Sequence, residues 1–331
     1  MKTQTVIASL ALFSMALVGC APTQVGDSTP APTAPEGEAA STALDTVVVG
    51  VIPISDVAPI YLGKEKGIFE EYGIDLVIET GPGGAAITTS VVSGEYQFGI
   101  TNIVSLFIAR NAGLPVIIAA PSSQSTGVSG GDYAALMVRE DSGIDSVSDL
   151  AGKRVGINGL ANANDVLLRA ALDEAGADST SVNFVEIPFP EMAAALGENQ
   201  VDAVFAPEPF VTIIASQGNQ ELFSLYADVV DNFPASLYLT TDEFAAANAD
   251  LVNRFEQAMI ASNEYAMANI DEAQDILTTY TPLERDFVEV LTLPLWPSEI
   301  DENAVRRMFE LTVIYGLIED NQTNLDAVLT R

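Results

Sequence analysis

Residues 46–84 read TVVVGVIPISDVAPIYLGKEKGIFEEYGIDLVIETGPGG, one complete strand–loop–helix–strand–loop unit. Residues 47–52 form a β-branched run short enough for a strand buried on both faces. Pro53 and Pro59 bracket the loop that follows, because proline fixes φ and withholds a backbone donor. Residues 60–66 continue as a helix, which Gly67 ends. Residues 74–78, Ile-Asp-Leu-Val-Ile, form a second strand. Gly81, Gly83 and Gly84 then open another helix. A strand feeding a helix through a short loop is half of a parallel α/β unit, and its loop lies at the ligand edge of the sheet.

The same alternation runs outward from this unit. Strands are predicted at 96–101 and 116–120, with a helix at 103–112 between them. A long polar loop, 121–132, leads to a strand-like crossing at 133–138. A second α/β set follows: a short helix at 146–151, strands at 153–157, 182–187 and 201–205, and helices at 162–175, 191–196 and 210–216. Residues 222–226 close this set. A return crossing at 236–239 precedes helices at 242–267, 271–279 and 304–316, which pack back on the first lobe. The fold class is therefore α/β with two lobes, each a mostly parallel sheet flanked by helices. Lobe 1 is 46–135 plus 236–331, and lobe 2 is 136–235. Discontinuous lobes joined twice close on a ligand by a hinge.

The segment APIYLGKEKGIFEEYGIDLVI resembles the signature of solute-binding proteins of ABC importers. The branch is the one serving nitrate, sulfonates, taurine and thiamine-pyrimidine precursors, which also includes thiamine-pyrimidine-synthase-like chains. VVSGEYQFGITN, DLAGKRVGI and QVDAVFAPEPF match further family blocks in the expected order. The resemblance implies a type II periplasmic-binding-protein-like fold, a small-molecule solute held between the lobes, and ABC permease subunits as membrane partners. It implies a monomer without a cofactor.

Composition bounds the function independently. The 331 residues carry a formal net charge of −33, with one cysteine and no histidine. So acidic a chain offers no basic patch to neutralise phosphates, which argues against nucleic acid. A single cysteine excludes an internal disulfide framework. Without histidine, Ser-His-Asp and Cys-His catalysis and every His-containing metal site are excluded. No metal site is expected. The acidic surface fits either a saline habitat or plain solubility.

Residues 1–19 read as a secretion signal: Lys2, an apolar run over 6–18, then small residues. Leu17-Val18-Gly19-Cys20 resembles a bacterial lipobox, implying cleavage before Cys20 and lipidation of its thiol. An ordinary cleavable signal with an incidental cysteine is the alternative. Residues 20–45 are the lipidated cysteine and a tether, too polar to bury themselves. The protein is then anchored to the outer face of the cytoplasmic membrane.

Loops at the carboxyl ends of the strands supply the candidate site: Ser55, Asp56, Gly81, Gly84, Asn102, Ser105, Ser122, Ser123, Asn158, Asn162, Phe189, Glu208 and Phe210. The resemblance assigns solute contact to the matching loops. Ser55, Asn102 and Asn162 also fit simple helix caps, and the glycines fit a tight turn. Val252, Phe255 and Met259 are read as core, Tyr61 as packing, and Trp296 as a plug. None of the candidate loops holds Lys or Arg, whereas a sulfonate site gains from an arginine fork. The expected solute is therefore neutral or basic, such as a planar nitrogen heterocycle. Asp56 or Glu208 would accept its N–H groups and Phe189 or Phe210 would stack on it. Arginines elsewhere, such as Arg110, could reach in and reverse this.

The leading function is a non-catalytic binding lipoprotein. An enzyme of the same shape, acting on a pyrimidine or quinone precursor, is the alternative. The fungal thiamine-pyrimidine synthase that shares these blocks relies on histidine chemistry, which this chain lacks. A sensor or adhesion module is the third reading.

Overall fold

The computed structural model describes residues 43–329. The signal, Cys20 and nearly all of the tether lie outside them. Ten strands are described: β1 (Asp45–Val51), β2 (Ile74–Thr80), β3 (Phe98–Thr101), β4 (Val116–Ser123), β5 (Ala134–Arg139), β6 (Arg154–Ile157), β7 (Asn183–Glu186), β8 (Ala203–Pro207), β9 (Asn219–Phe223) and β10 (Ser236–Thr241). They form two five-stranded sheets, ordered β2-β1-β3-β10-β4 and β7-β6-β8-β5-β9.

Both sheets are mixed. β1 runs parallel to β2 and β3, while β10 is antiparallel to β3 and β4. In the second sheet β6 runs parallel to β7 and β8, while β5 is antiparallel to β8 and β9. The antiparallel member of each sheet is the strand that enters after a crossing. The chain reaches that sheet from the other one and so runs against its neighbours. As a result the carboxyl ends of β1, β3, β6 and β8 and the amino ends of β5 and β10 meet at one edge.

The 121–132 loop is shorter than its polarity suggests. β4 continues through Pro121, Ser122 and Ser123, with register shifts against β10. Proline is tolerated because β4 is an edge strand, with one neighbour only. The predicted helix over 242–267 breaks at Asn248, whose φ of −132° and ψ of 41° leave helical space.

Large apolar clusters fill the space around the sheets, and two of them run across both. Phe98 of the first sheet stacks on Phe255 with ring centroids 3.9 Å apart. In the stripe, Phe255 and Met259 are fully buried, while Val252 is half-buried and packs against the same cluster. Tyr61 stacks on Tyr280 at 3.9 Å. Helix Glu302–Ile314 reaches further than its expected place. It packs on Ile103–Asn111 beside the first sheet and also on Ala163–Glu174 beside the second. Its Ala304, Val305, Met308, Phe309 and Leu311 form an apolar stripe broad enough to serve both.

Helix Ala58–Glu65 lies against the long helix Ala249–Ala268. A Cβ at Gly63 would enter the van der Waals shell of Ser262 Oγ and lie 2.8 Å from its Cβ. Gly63→Ala should therefore destabilise the protein by about 1–3 kcal/mol through overpacking, despite alanine's better helix propensity. Ser262→Ala in the same chain should recover part of that loss. Paired thermal melts check both, and a Gly63→Ala variant as stable as wild type would contradict the packing.

Candidate functional site

The loop after β1 turns back into a short 3-10 turn, Ser55–Val57, and drives Asp56 into the interior, where it is 3% exposed. Its Oδ1 accepts hydrogen bonds from Ser123 Oγ at 2.5 Å and Tyr133 OH at 3.1 Å. Ser236 Oγ lies 2.7 Å from Ser123 Oγ and donates to Ser122 Oγ at 3.0 Å. Ser122 Oγ donates to the main-chain oxygen of Asp56 at 3.4 Å, and Trp296 Nε1–H donates to the same oxygen at 3.1 Å. Burial pushes the Asp56 carboxyl above its ordinary range, and the hydroxyls of Ser123, Tyr133 and Ser236 pull it part of the way back. Asp56 Oδ2 is buried with no protein partner.

Asp56 lines a narrow cavity between the two sheets, about 40 Å³ in volume and partly open to solvent. Asn102, Asn158, Gly84 and Phe189 line it too, with Ile52, Ile54, Ile100, Thr101, Asn164, Tyr226 and Ser236. The larger concavity around Glu174, Glu221 and Asp228 is an open depression beside β9 and lacks these convergent groups.

The asparagines knit the two sides together. Asn102 caps helix Ile103–Asn111, its Oδ1 accepting from Ser105 N–H at 2.9 Å and also from Ala163 N–H at 3.3 Å across the cleft. Its Nδ2 donates to Ser105 Oγ at 3.0 Å. Asn162 caps helix Ala163–Glu174 through the N–H groups of Asn164 and Asp165. Asn158 Oδ1 accepts from Asn162 at 3.0 Å and Asn164 at 3.1 Å, and Tyr226 OH donates to Asn164 Oδ1 at 3.0 Å. Side chains thus take the first three amides of helix Ala163–Glu174 and one amide, that of Ser105, at the start of helix Ile103–Asn111. The start of helix Gly84–Val92 has no side-chain cap.

The sequence-derived candidates fall into groups. Asp56, Gly84, Asn102, Asn158 and Phe189 line the cavity. Ser122, Ser123, Ser105 and Asn162 hold those residues in place, as above. Phe210 stacks behind Phe189 with centroids 5.9 Å apart. Ser55 N–H donates to Glu208 O at 2.9 Å, joining the two sheet edges, and Gly81 N–H donates to Val51 O at 2.8 Å. The Glu208 side chain is turned away from the cavity. Its carboxylate accepts from Thr212 N–H at 3.0 Å and Thr212 Oγ1 at 2.8 Å, at the start of helix Phe210–Ser216. Arg110 is committed elsewhere, to Val116 O at 2.8 Å and Asp242 at 3.2 Å. Trp296 is buried, as a plug should be.

The candidates omitted Thr101, Asn164, Tyr133, Tyr226 and Ser236. Thr101 ends β3, one residue before Asn102, and the strand-end rule could have found it. Ser236 and Tyr133 stand at or just before the amino ends of antiparallel strands, which a parallel-sheet reading does not search.

A two-sheet α/β frame with a polar cavity at the meeting edges, lacking a lining cation, is the architecture of a solute-binding protein. The NMT1/THI5 like family model matches residues 54–273, and the chain belongs to that family. A riboflavin-binding protein of Chloroflexus aurantiacus is 26% identical over 265 residues, covering 77% of this chain and 73% of the relative. A formylaminopyrimidine-binding protein of Halalkalibacterium halodurans is 24% identical, covering 66% and 65%. The 4-amino-5-hydroxymethyl-2-methylpyrimidine phosphate synthase of Schizosaccharomyces pombe is 22% identical, covering 67% and 63%. The periplasmic aliphatic sulphonate-binding protein of Escherichia coli superposes with a TM-score of 0.67 at 16% identity, covering 86% of this chain and 91% of that one. The fold is that of type II periplasmic binding proteins, and the family and its relatives support a solute-binding role for the chain.

Glu208 makes a testable prediction. Burial pushes its carboxyl up to about 7, against the pull of the Thr212 hydrogen bonds. The folded protein then holds a proton that the unfolded chain releases above its ordinary value of 4.5. Stability from this group is complete below that value and is lost as pH rises through 7. Glu208→Gln should therefore flatten the decline in stability between pH 5 and pH 8 by on the order of 1–3 kcal/mol. Denaturant titrations at the two pH values measure it, and parallel pH profiles for variant and wild type would contradict it.

Proposed function

We propose that this protein is a lipid-anchored, extracytoplasmic binding protein that captures a small neutral or basic nitrogen heterocycle and passes it to ABC permease subunits. It works as a monomer, without cofactor or catalysis. Asp56 Oδ2, buried and without a partner at the cavity wall, carries this reading. A buried acceptor left unmade costs free energy, so a solute N–H at that oxygen is bound strongly. An anion there would meet a carboxylate in a low-dielectric setting with no lining Lys or Arg. Phe189, with Phe210 behind it, supplies an aromatic wall for a ring. The names of two relatives, which bind riboflavin and formylaminopyrimidine, belong to the same chemistry.

The division into two moving lobes belongs to this proposal. The crossings between β4 and β5 and between the second sheet and β10 act as hinges, and the solute adds contacts to both sides, favouring the closed form. Cys20 anchors the chain and the tether gives it reach. The likeness to a pyrimidine phosphate synthase raises an enzymatic alternative. A chain without histidine lacks the commonest general acid–base side chain, and Asp56 is already engaged through Oδ1.

Calorimetric titration of the tag-free domain tests the proposal with 4-amino-5-hydroxymethyl-2-methylpyrimidine, riboflavin, taurine and nitrate. A nitrogen heterocycle should bind at least tenfold tighter than taurine or nitrate. Asp56→Asn should weaken it by about 10- to 100-fold, the value of a charged hydrogen bond. Tighter binding of taurine or nitrate contradicts the proposed solute, and an altered compound recovered after incubation contradicts the absence of catalysis.

A further inference from the structure

Thr101 ends β3 at the cavity wall and is 3% exposed, yet its Oγ1 has no hydrogen-bond partner in the protein. Asp56 Oδ2 lacks a partner in the same cavity. These two orphans differ in chemistry. The Asp56 carboxylate, once ionised, only accepts, whereas a threonine hydroxyl can both donate and accept. The Thr101 hydroxyl carries a proton with no acceptor around it, and a buried donor without a partner is rarer than an under-used acceptor.

The backbone beside Thr101 has the same polarity. Helix Gly84–Val92 begins there without a side-chain cap, unlike the helices beginning after Asn102 and Asn162. Its first N–H groups have no intrahelical acceptor. A Cβ at Gly84 would lie 3.0 Å from Thr101 Oγ1 and 3.3 Å from Thr101 Cα. Glycine therefore keeps this corner open and lets helix and strand approach. One corner of the cavity offers donors, and Asp56 Oδ2 offers an acceptor.

We propose that Thr101, kept accessible by Gly84, is a specificity residue that reads a hydrogen-bond acceptor on the solute, while Asp56 Oδ2 reads a donor. The solute class is then a heterocycle carrying both on one ring system, such as an amino-azine or a cyclic amide. An amine without a ring nitrogen or carbonyl is discriminated against. Because Ser123 and Tyr133 occupy Oδ1, Asp56 has one oxygen for the solute, and a two-pronged amidinium grip on both oxygens is ruled out. The second polar contact falls to Thr101. This inference rests on the function proposed above and adds the acceptor requirement.

The test compares two probes by calorimetry: 4-amino-5-hydroxymethyl-2-methylpyrimidine and its benzene analogue, which keeps the exocyclic amine but lacks ring nitrogens. Wild type should prefer the pyrimidine by tenfold or more. Thr101→Val should bring the ratio of affinities close to one, Thr101→Ser should retain most of it, and Gly84→Ala should behave like Thr101→Val. Thermal melts verify that each variant is folded. Should a folded Thr101→Val keep the wild-type ratio while Asp56→Asn weakens both probes, Thr101 has no such role and the proposed function stands. If Asp56→Asn binds the pyrimidine as wild type does, or wild type binds neither these probes nor riboflavin, both the function and this inference are overturned.

Discussion

The Asp56 carboxylate is the constraint on which the architecture turns. Ser123 ends β4, where the first crossing begins, and Tyr133 stands where that crossing ends, immediately before β5. Ser236 opens β10, where the second crossing ends. These hydroxyls form one network around Asp56 Oδ1. One buried carboxyl thus ties together the places where the chain passes between sheets. Ionising it away from water is costly, and the hydroxyl donors offset only part of that cost, since Oδ2 stays unpartnered. The residual cost is the basis of affinity, because a solute that donates to Oδ2 removes it.

The surrounding electrostatics work in the same direction. Two helices start at the cavity with one or more of their first amides already taken by Asn102 and Asn162, and Glu208 takes the Thr212 amide of helix Phe210–Ser216. Arg110 is held by Asp242 and Val116 O. The fold resembles that of a sulphonate-binding protein, but fold and ligand are set by different residues. Here the frame is shared, while the lining lacks a cation.

Much of this was legible in the sequence, and the limits have physical causes. Strand runs such as residues 47–52, and glycines such as Gly67 and Gly176 at positive φ after helices, mark elements through local chemistry. Asp56, Asn102 and Asn158 were visible because a parallel strand's carboxyl end faces the ligand edge. Ser236 and Tyr133 were not, because strand direction after a crossing is decided by long-range topology. Glu208 was misleading for a related reason. A carboxylate two residues before a helix can serve either the solute or the first turn, and Thr212 claims it. The bridging position of helix Glu302–Ile314 depends on tertiary packing that a helical stripe alone does not specify.

The most direct measurement is a crystal structure of the protein with the solute it retains through purification, that solute being identified by mass spectrometry. The expected result is a nitrogen of a planar ring or its amino group about 3 Å from Asp56 Oδ2, at hydrogen-bonding distance. A sulfonate, nitrate or other anion in the cavity, or a solute seated in the outer depression near Glu221 with Asp56 Oδ2 still unpaired, would contradict it.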